Sequence, residues 1–158
     1  MEEELILQKV SDPLPEINIE QDLAECTIDH IEAYQFDTKK IASGITDIIG
    51  NRTCGLLIIS SRNVSGSAEY FIPTENRRFD IIQWAKVFME LKGRTIPVAL
   101  EIVEKENKCW GPARTNLAKA SLMDLASEMR NPVMRQECKK NRLDRAVLFD
   151  YSQAYFSF

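Results

Sequence analysis

The sequence predicts an α+β fold: a single domain with a mixed sheet that contains a hairpin, and with helices packed mainly on one face. Three observations point there. At 158 residues the chain has the length of one domain and can bury a core without disulfide or metal staples. Hydrophobic residues make up 44% and charged residues 28%, which separates the chain from disordered, collagen-like and mini-protein classes. Apolar spacing also changes along the chain, from helical recurrence to short β-forming runs and back, with no internal repeat.

Residues 1–19 are an acidic arm in which Pro13 and Pro15 enforce extended backbone, ahead of an α+β domain over 20–158. Over 20–36, Leu23, Thr27, Ile31 and Tyr34 recur at three- or four-residue spacing, with Glu25, Asp29 and Glu32 on another face, which predicts an acidic amphipathic helix. Asp37 or Thr38 can cap a second helix carrying Ile41, Ile45, Ile48 and Ile49 and stopped by Gly50. The run Leu56, Leu57, Ile58, Ile59 predicts a buried strand. Turn chemistry over 63–67 and a second strand over 68–72, ended by Pro73, complete a hairpin.

Thr74 is a candidate cap for a helix in which Ile81, Trp84, Ala85, Phe88 and Leu91 keep helical period and Gly93 closes the element. A third strand is expected over 96–103, then a loop over 104–115, then a helix over 117–129 capped by Asn116 and stopped by Asn131-Pro132. The basic stretch from Arg135 to Arg145 predicts a helix. Residues 146–158 read as a strand with an aromatic end.

Charge is unevenly spread. The first 37 residues carry eleven acids against Lys9 alone, net -10, while residues 38–158 carry 19 Lys and Arg against 13 acids, net +6. An acidic arm on a mildly basic body attracts a polyanion or neutralises itself within the fold, and screening beyond about 8 Å favours the second. No apolar run approaches the roughly 20 residues a membrane helix needs, and the opening Glu2, Glu3 and Glu4 are unlike an export signal. The expected location is intracellular, cytoplasmic or nuclear. There Cys26, Cys54, Cys109 and Cys138 are free thiols, and the triplets starting at Asn51 and Asn63 are chance glycosylation matches.

Catalytic chemistry finds little support. Cys26 and His30, the sole histidine, stand one helical turn apart on the helix expected there, but two ligands do not complete a zinc site. No phosphate-cradling glycine motif occurs. No catalytic residue, metal site or cofactor is expected.

Two resemblances of shape follow from the element order. Helix, hairpin, helix, strand resembles the restriction-endonuclease core, which implies Glu69, Asp80 and Glu101 around a divalent cation with Lys105 assisting water. The acidic-x-lysine signature of that family belongs on the second hairpin strand. Tyr70, Phe71 and Ile72 stand there before Pro73 and Thr74, so the site implied is degenerate. A hairpin followed by a Trp-containing helix, over 53–93, resembles half of the Whirly-type and transcriptional-coactivator-type single-stranded DNA-binding folds.

That second resemblance implies cations for phosphates and aromatic faces for bases. The candidates are Arg52, Arg62, Arg77 and Arg78 around the hairpin, and Lys105, Lys108, Trp110 and Arg114 in the loop expected after 103. The rival reading is protein contact, with a partner or a second copy of the chain, through Tyr155, Phe156 and Phe158 at the aromatic end, with Phe149 in the core. The expected function is a non-enzymatic binding domain that contacts single-stranded nucleic acid within a larger assembly. The alternatives are a protein-interaction or oligomerisation domain and a degenerate endonuclease-like domain, with no membrane partner in any case.

Overall fold

Val64, Gly66, Ala68, Tyr70 and Ile72 alternate with more exposed neighbours, the signature of a strand with one buried face. In the computed structural model this strand, β3 (Val64–Pro73), pairs antiparallel with β2 (Arg52–Ser61) along its whole length, from Arg52 opposite Pro73 to Ser61 opposite Val64. The structure describes residues 23–37, 52–73, 78–131 and 145–158. The hairpin expected from sequence is therefore present, with a tighter turn. Only Arg62 and Asn63 connect the strands, Arg62 takes a positive φ of 55°, and its N–H donates to Asp29 Oδ2 at 2.7 Å.

The acidic helix expected over 20–36 is corrected. Residues 23–25 make one helical turn, and His30–Phe36 form strand β1, paired antiparallel with β2. Ile31 and Tyr34 stand at helical spacing but fall on opposite faces of the strand, and pairing with β2 overrides the helical pattern. As a central strand β1 buries both faces, Ile31, Ala33 and Gln35 on one and Glu32 and Tyr34 on the other, which hides the strand signature. The stretch over 146–158 splits into a helix, Arg145–Tyr151, and strand β4 (Ser152–Ser157), which pairs antiparallel with β1. The sheet order is β3-β2-β1-β4 and every pairing is antiparallel, so the α+β class holds but the sheet is not mixed.

After the hairpin, Asp80 rather than Thr74 caps the next helix, α1 (Ile81–Ala85), its side chain accepting from the N–H groups of Ile82 and Gln83. The chain tightens into a 3-10 segment, Lys86–Leu91, and Gly93 ends it at a φ of 76°. Thr74 itself lies outside the described residues, as do the helices expected over 38–50 and 135–144.

The strand expected over 96–103 is instead a helix, α2 (Ile96–Lys105), with Pro97 in its first turn and Ile96, Ala99 and Val103 buried at helical spacing. The loop expected over 104–115 is corrected too. It holds a short helix, α3 (Asn107–Trp110), and the first turn of α4 (Pro112–Arg130), separated by Gly111 at a φ of 79°. The C-terminal helix Arg145–Tyr151 is α5.

α4 crosses β2 and β3, α1 touches β1 and β4, and α2 and α3 pack against α4. These helices share one face of the sheet and one core, in which Ile31, Leu57, Ile59, Phe88, Leu91, Leu122 and Leu125 are fully buried. An ion pair between Lys119 and Glu104 joins α4 to α2. None of the described helices is long and apolar enough to cross a membrane.

α4 can lie this close to the hairpin because position 66 has no side chain. A Cβ there would stand 2.1 Å from the Leu125 nitrogen and 2.3 Å from the Ser121 oxygen, both helix backbone atoms that cannot yield locally. Beside it, Asp124 Oδ2 accepts from Ser67 N–H at 2.8 Å. Gly66→Ala must therefore lift the helix. The expected loss is at least about 2 kcal/mol in urea unfolding, and wild-type stability in this variant would show that α4 does not meet the strand here.

Candidate interaction surfaces

Five rings form a continuous ladder under the helices. Tyr70 of β3 packs on Trp84 of α1 with centroids 4.8 Å apart, and Phe79 lies against both at 6.5 and 5.6 Å. Phe88 continues it edge-on to Trp84 at 5.8 Å and to Trp110 at 5.6 Å. Trp110, read from sequence as a base-stacking loop residue, is only 3% exposed and belongs to this ladder, so neither ring face is open to a base. The helical spacing of Trp84 and Phe88 announced the ladder in part. The contribution of Trp110 was hidden because α3 was read as a loop.

The other predicted nucleic-acid residues are distributed over several elements. Arg78 is exposed beside Phe79. Lys105 ends α2, and Lys108 stands exposed on α3 two residues before Trp110. Half-buried Arg114 donates from Nε to the Trp110 carbonyl at 2.6 Å and from Nη1 to the Trp84 carbonyl at 3.4 Å, so its guanidinium ties α4 to α3 and α1. Arg62 is apart from these, at the hairpin turn. Arg52 opens β2, where its side chain is not described, and Arg77 lies outside the described residues.

The C-terminal aromatics exchange roles relative to expectation. Phe158 is held by two backbone bonds to Ile31, at 2.9 and 3.0 Å, and it and Phe156 pack half-buried against the core. Half-buried Tyr155 donates from its hydroxyl to Glu32 Oε1 at 2.9 Å. The exposed members are on α5: Phe149 at 44% and Tyr151 at 45%. Docking of the last strand into the β1 ladder covers the residues whose terminal position suggested exposure.

Opposite α1 to α4 the sheet presents a second face. The register aligns Glu69, Leu56, Tyr34 and Tyr155 in one row across all four strands, with Phe71 opposite Cys54 in the next. Phe149 lies over this face, 5.7 Å from the Tyr34 ring and 4.8 Å from that of Tyr155. Glu32, only 7% exposed, accepts from Tyr34 at 3.2 Å and from Tyr155 through one oxygen, with His30 Nε2 at 3.7 Å. Sequence reasoning missed this cluster. Read at a strand's two-residue period, His30, Glu32 and Tyr34 share one face and would have marked it.

The carboxylates implied by the endonuclease resemblance are dispersed. Glu69 is on the second face of the sheet, Asp80 caps α1 and Glu101 is exposed on α2. Among the described residues no group of three or more His, Cys, Asp or Glu is placed to hold a metal ion. Cys26 is buried ahead of β1 and shares no helix with His30. Cys54 is buried, Cys109 exposed, and both are free thiols like Cys26, while Cys138 lies outside the described residues.

Comparison with protein-family models, with curated proteins and with solved structures finds no match to this chain.

Burial, and then the neighbouring Cys54 charge, push the Tyr70 phenol well above its ordinary value of 10.0; burial, and then Glu69, push the Cys54 thiol above 9.0. In the folded protein both groups keep protons that the unfolded chain releases, so their contribution to stability is constant below about pH 8 and is lost as pH rises through their ordinary values. Tyr70→Phe loses the hydroxyl's 2.8 Å bond to the Tyr34 carbonyl, at about 1 kcal/mol near neutrality. It should also flatten the loss above pH 10 in urea unfolding run from pH 7 to 11. An alkaline slope identical to wild type would show that Tyr70 titrates alike in both states.

Proposed function

We propose that the chain is a non-enzymatic binding domain that joins another protein chain, the occupant being a second copy. The observation that supports this reading is the pair of exposed aromatics on α5, Phe149 and Tyr151. Aromatic side chains carry a disproportionate share of association energy because they bury a large area at low entropic cost. α5 is anchored through Phe149 to the Tyr34 and Tyr155 rings and through the Tyr151 carbonyl, which accepts from Asp37 N–H at 2.8 Å. The aromatics are thus presented from a fixed base. Light scattering on a sizing column should show mass rising with protein concentration. The double variant Phe149→Ser, Tyr151→Ser should weaken association by about 2 kcal/mol, roughly thirtyfold, and Tyr151→Ser alone, which keeps the Phe149 packing, should weaken it with unfolding temperature little changed. A monomer at every concentration, or undiminished assembly of the double variant, would refute the reading.

A second reading, single-stranded nucleic acid, keeps one specific observation in its favour: exposed Arg78 adjoins half-buried Phe79 in the chain, at the end of the ring ladder opposite Trp110. A cation next to a partly open ring is what an unstacked base and its phosphate require. On this reading Phe79→Ala costs about 1–3 kcal/mol in binding labelled single-stranded DNA or RNA. Arg78→Ala lowers the salt slope by about one unit. Binding unchanged in both variants would exclude this rim.

A further inference from the structure

The second face and the helix-covered face meet at β3, which forms one edge of the sheet. Ser67 N–H points away from β2, because it donates to Asp124 Oδ2. In an antiparallel ladder that direction alternates, so Glu69 and Phe71, two and four residues further on, also turn their N–H and C=O groups outward. The run is bounded on one side by the Asp124 bond at Ser67 and on the other by Pro73, which has no N–H to offer. Residues 68–72 remain, a strand of roughly 17 Å at about 3.4 Å per residue.

The side chains along this stretch are selective. Glu69 and Phe71 are both exposed, point to the same face and are separated by one strand repeat, with Phe71 at 53%. β3 contains no Lys or Arg, and the carboxylate of Asp124 stands at its border, so the local charge is acidic. Edge strands are usually guarded by charge, by proline or by a cap. Here the cap and the proline close the ends, and the charge sets which strand the middle admits.

We propose that the β3 edge accepts an extended segment of a partner protein as a fifth strand. The segment carries a Lys or Arg against Glu69 and an apolar residue two positions away against Phe71. Outward amides supply the backbone bonds, Asp124 and Pro73 set the register, and Glu69 rejects acidic segments. The proposal is independent of self-association through α5, on the opposite edge strand's side of the sheet.

The test uses the full chain and three labelled heptapeptides: Thr-Val-Thr-Lys-Thr-Val-Thr, the same peptide with Glu in place of Lys, and the Lys peptide N-methylated at alternate amides. The Lys peptide should bind at least about tenfold tighter than either control, and Glu69→Lys should abolish or reverse the Lys-over-Glu preference. Amide exchange at Glu69 and Phe71 should slow on binding, while Ser67, already bonded, changes little. Equal binding of the three peptides, no binding of the Lys peptide at millimolar concentration, or an unprotected Phe71 amide in the complex would overturn the proposal.

Discussion

The contact between α4 and the β2–β3 hairpin is the constraint on which the other packing depends. Where a helix meets a sheet, side chains usually hold the two backbones apart, and here Gly66 removes that spacer opposite Ser121 and Leu125. Ser121 can then reach the Leu57 carbonyl at 3.4 Å, Asp124 can bond the Ser67 amide, and Leu122 and Leu125 fill the space over Leu57 and Ile59. The first turn of α4 brings Arg114 to the carbonyls of Trp84 and Trp110. A side chain at position 66 would force helix and strand apart and loosen the core they share.

The sheet has two unlike edges, β3 and β4. β4 docks beside β1, where two backbone bonds to Ile31 and the Tyr155–Glu32 bond hold it, and so converts β1 into a central strand buried on both faces. The opposite edge, β3, keeps acidic and aromatic side chains exposed. Among the described residues, the cations singled out from sequence are spread over the hairpin turn, the start of α1, the ends of α2 and α3 and the start of α4, and Arg114 is engaged by carbonyls. Exposed rings, by contrast, stand on α5 and β3. That distribution moves the functional reading from a polyanion toward another polypeptide.

Much of this was legible in the residues, and what was not has a physical cause. The hairpin was readable because β3 is an edge strand with one wet face, so its alternation survived, and Gly93 marked the end of its segment correctly. β1 was misread because a strand buried on both faces loses its alternation, leaving Ile31 and Tyr34 to imitate a helix. α2 was misread because Ile, Val and Leu dominate 96–103, although Pro97 in a first turn and Ile96, Ala99 and Val103 at helical spacing were visible. Gly111-Pro112 is a helix stop followed by a helix start, a signature that a glycine-proline pair shares with loops. Gly66 looked like a turn residue, whereas its role is set by a helix more than fifty positions away, which no local pattern can show. At the candidate surfaces exposure was what the residues did not reveal: Trp110 is inside, and Phe149 and Tyr151 are outside.

The most direct measurement on the central contact is a nuclear Overhauser spectrum of the full chain with assigned glycines. A Cβ at Gly66 would fall 2.1 Å from the Leu125 nitrogen, so the α-proton occupying that direction must lie within reach of the Leu125 amide proton. A strong cross-peak between them, with a second to Ser121 or Leu122, is the predicted result. Gly66 α-protons that show cross-peaks to the neighbouring strand but to no residue of α4 would contradict the account.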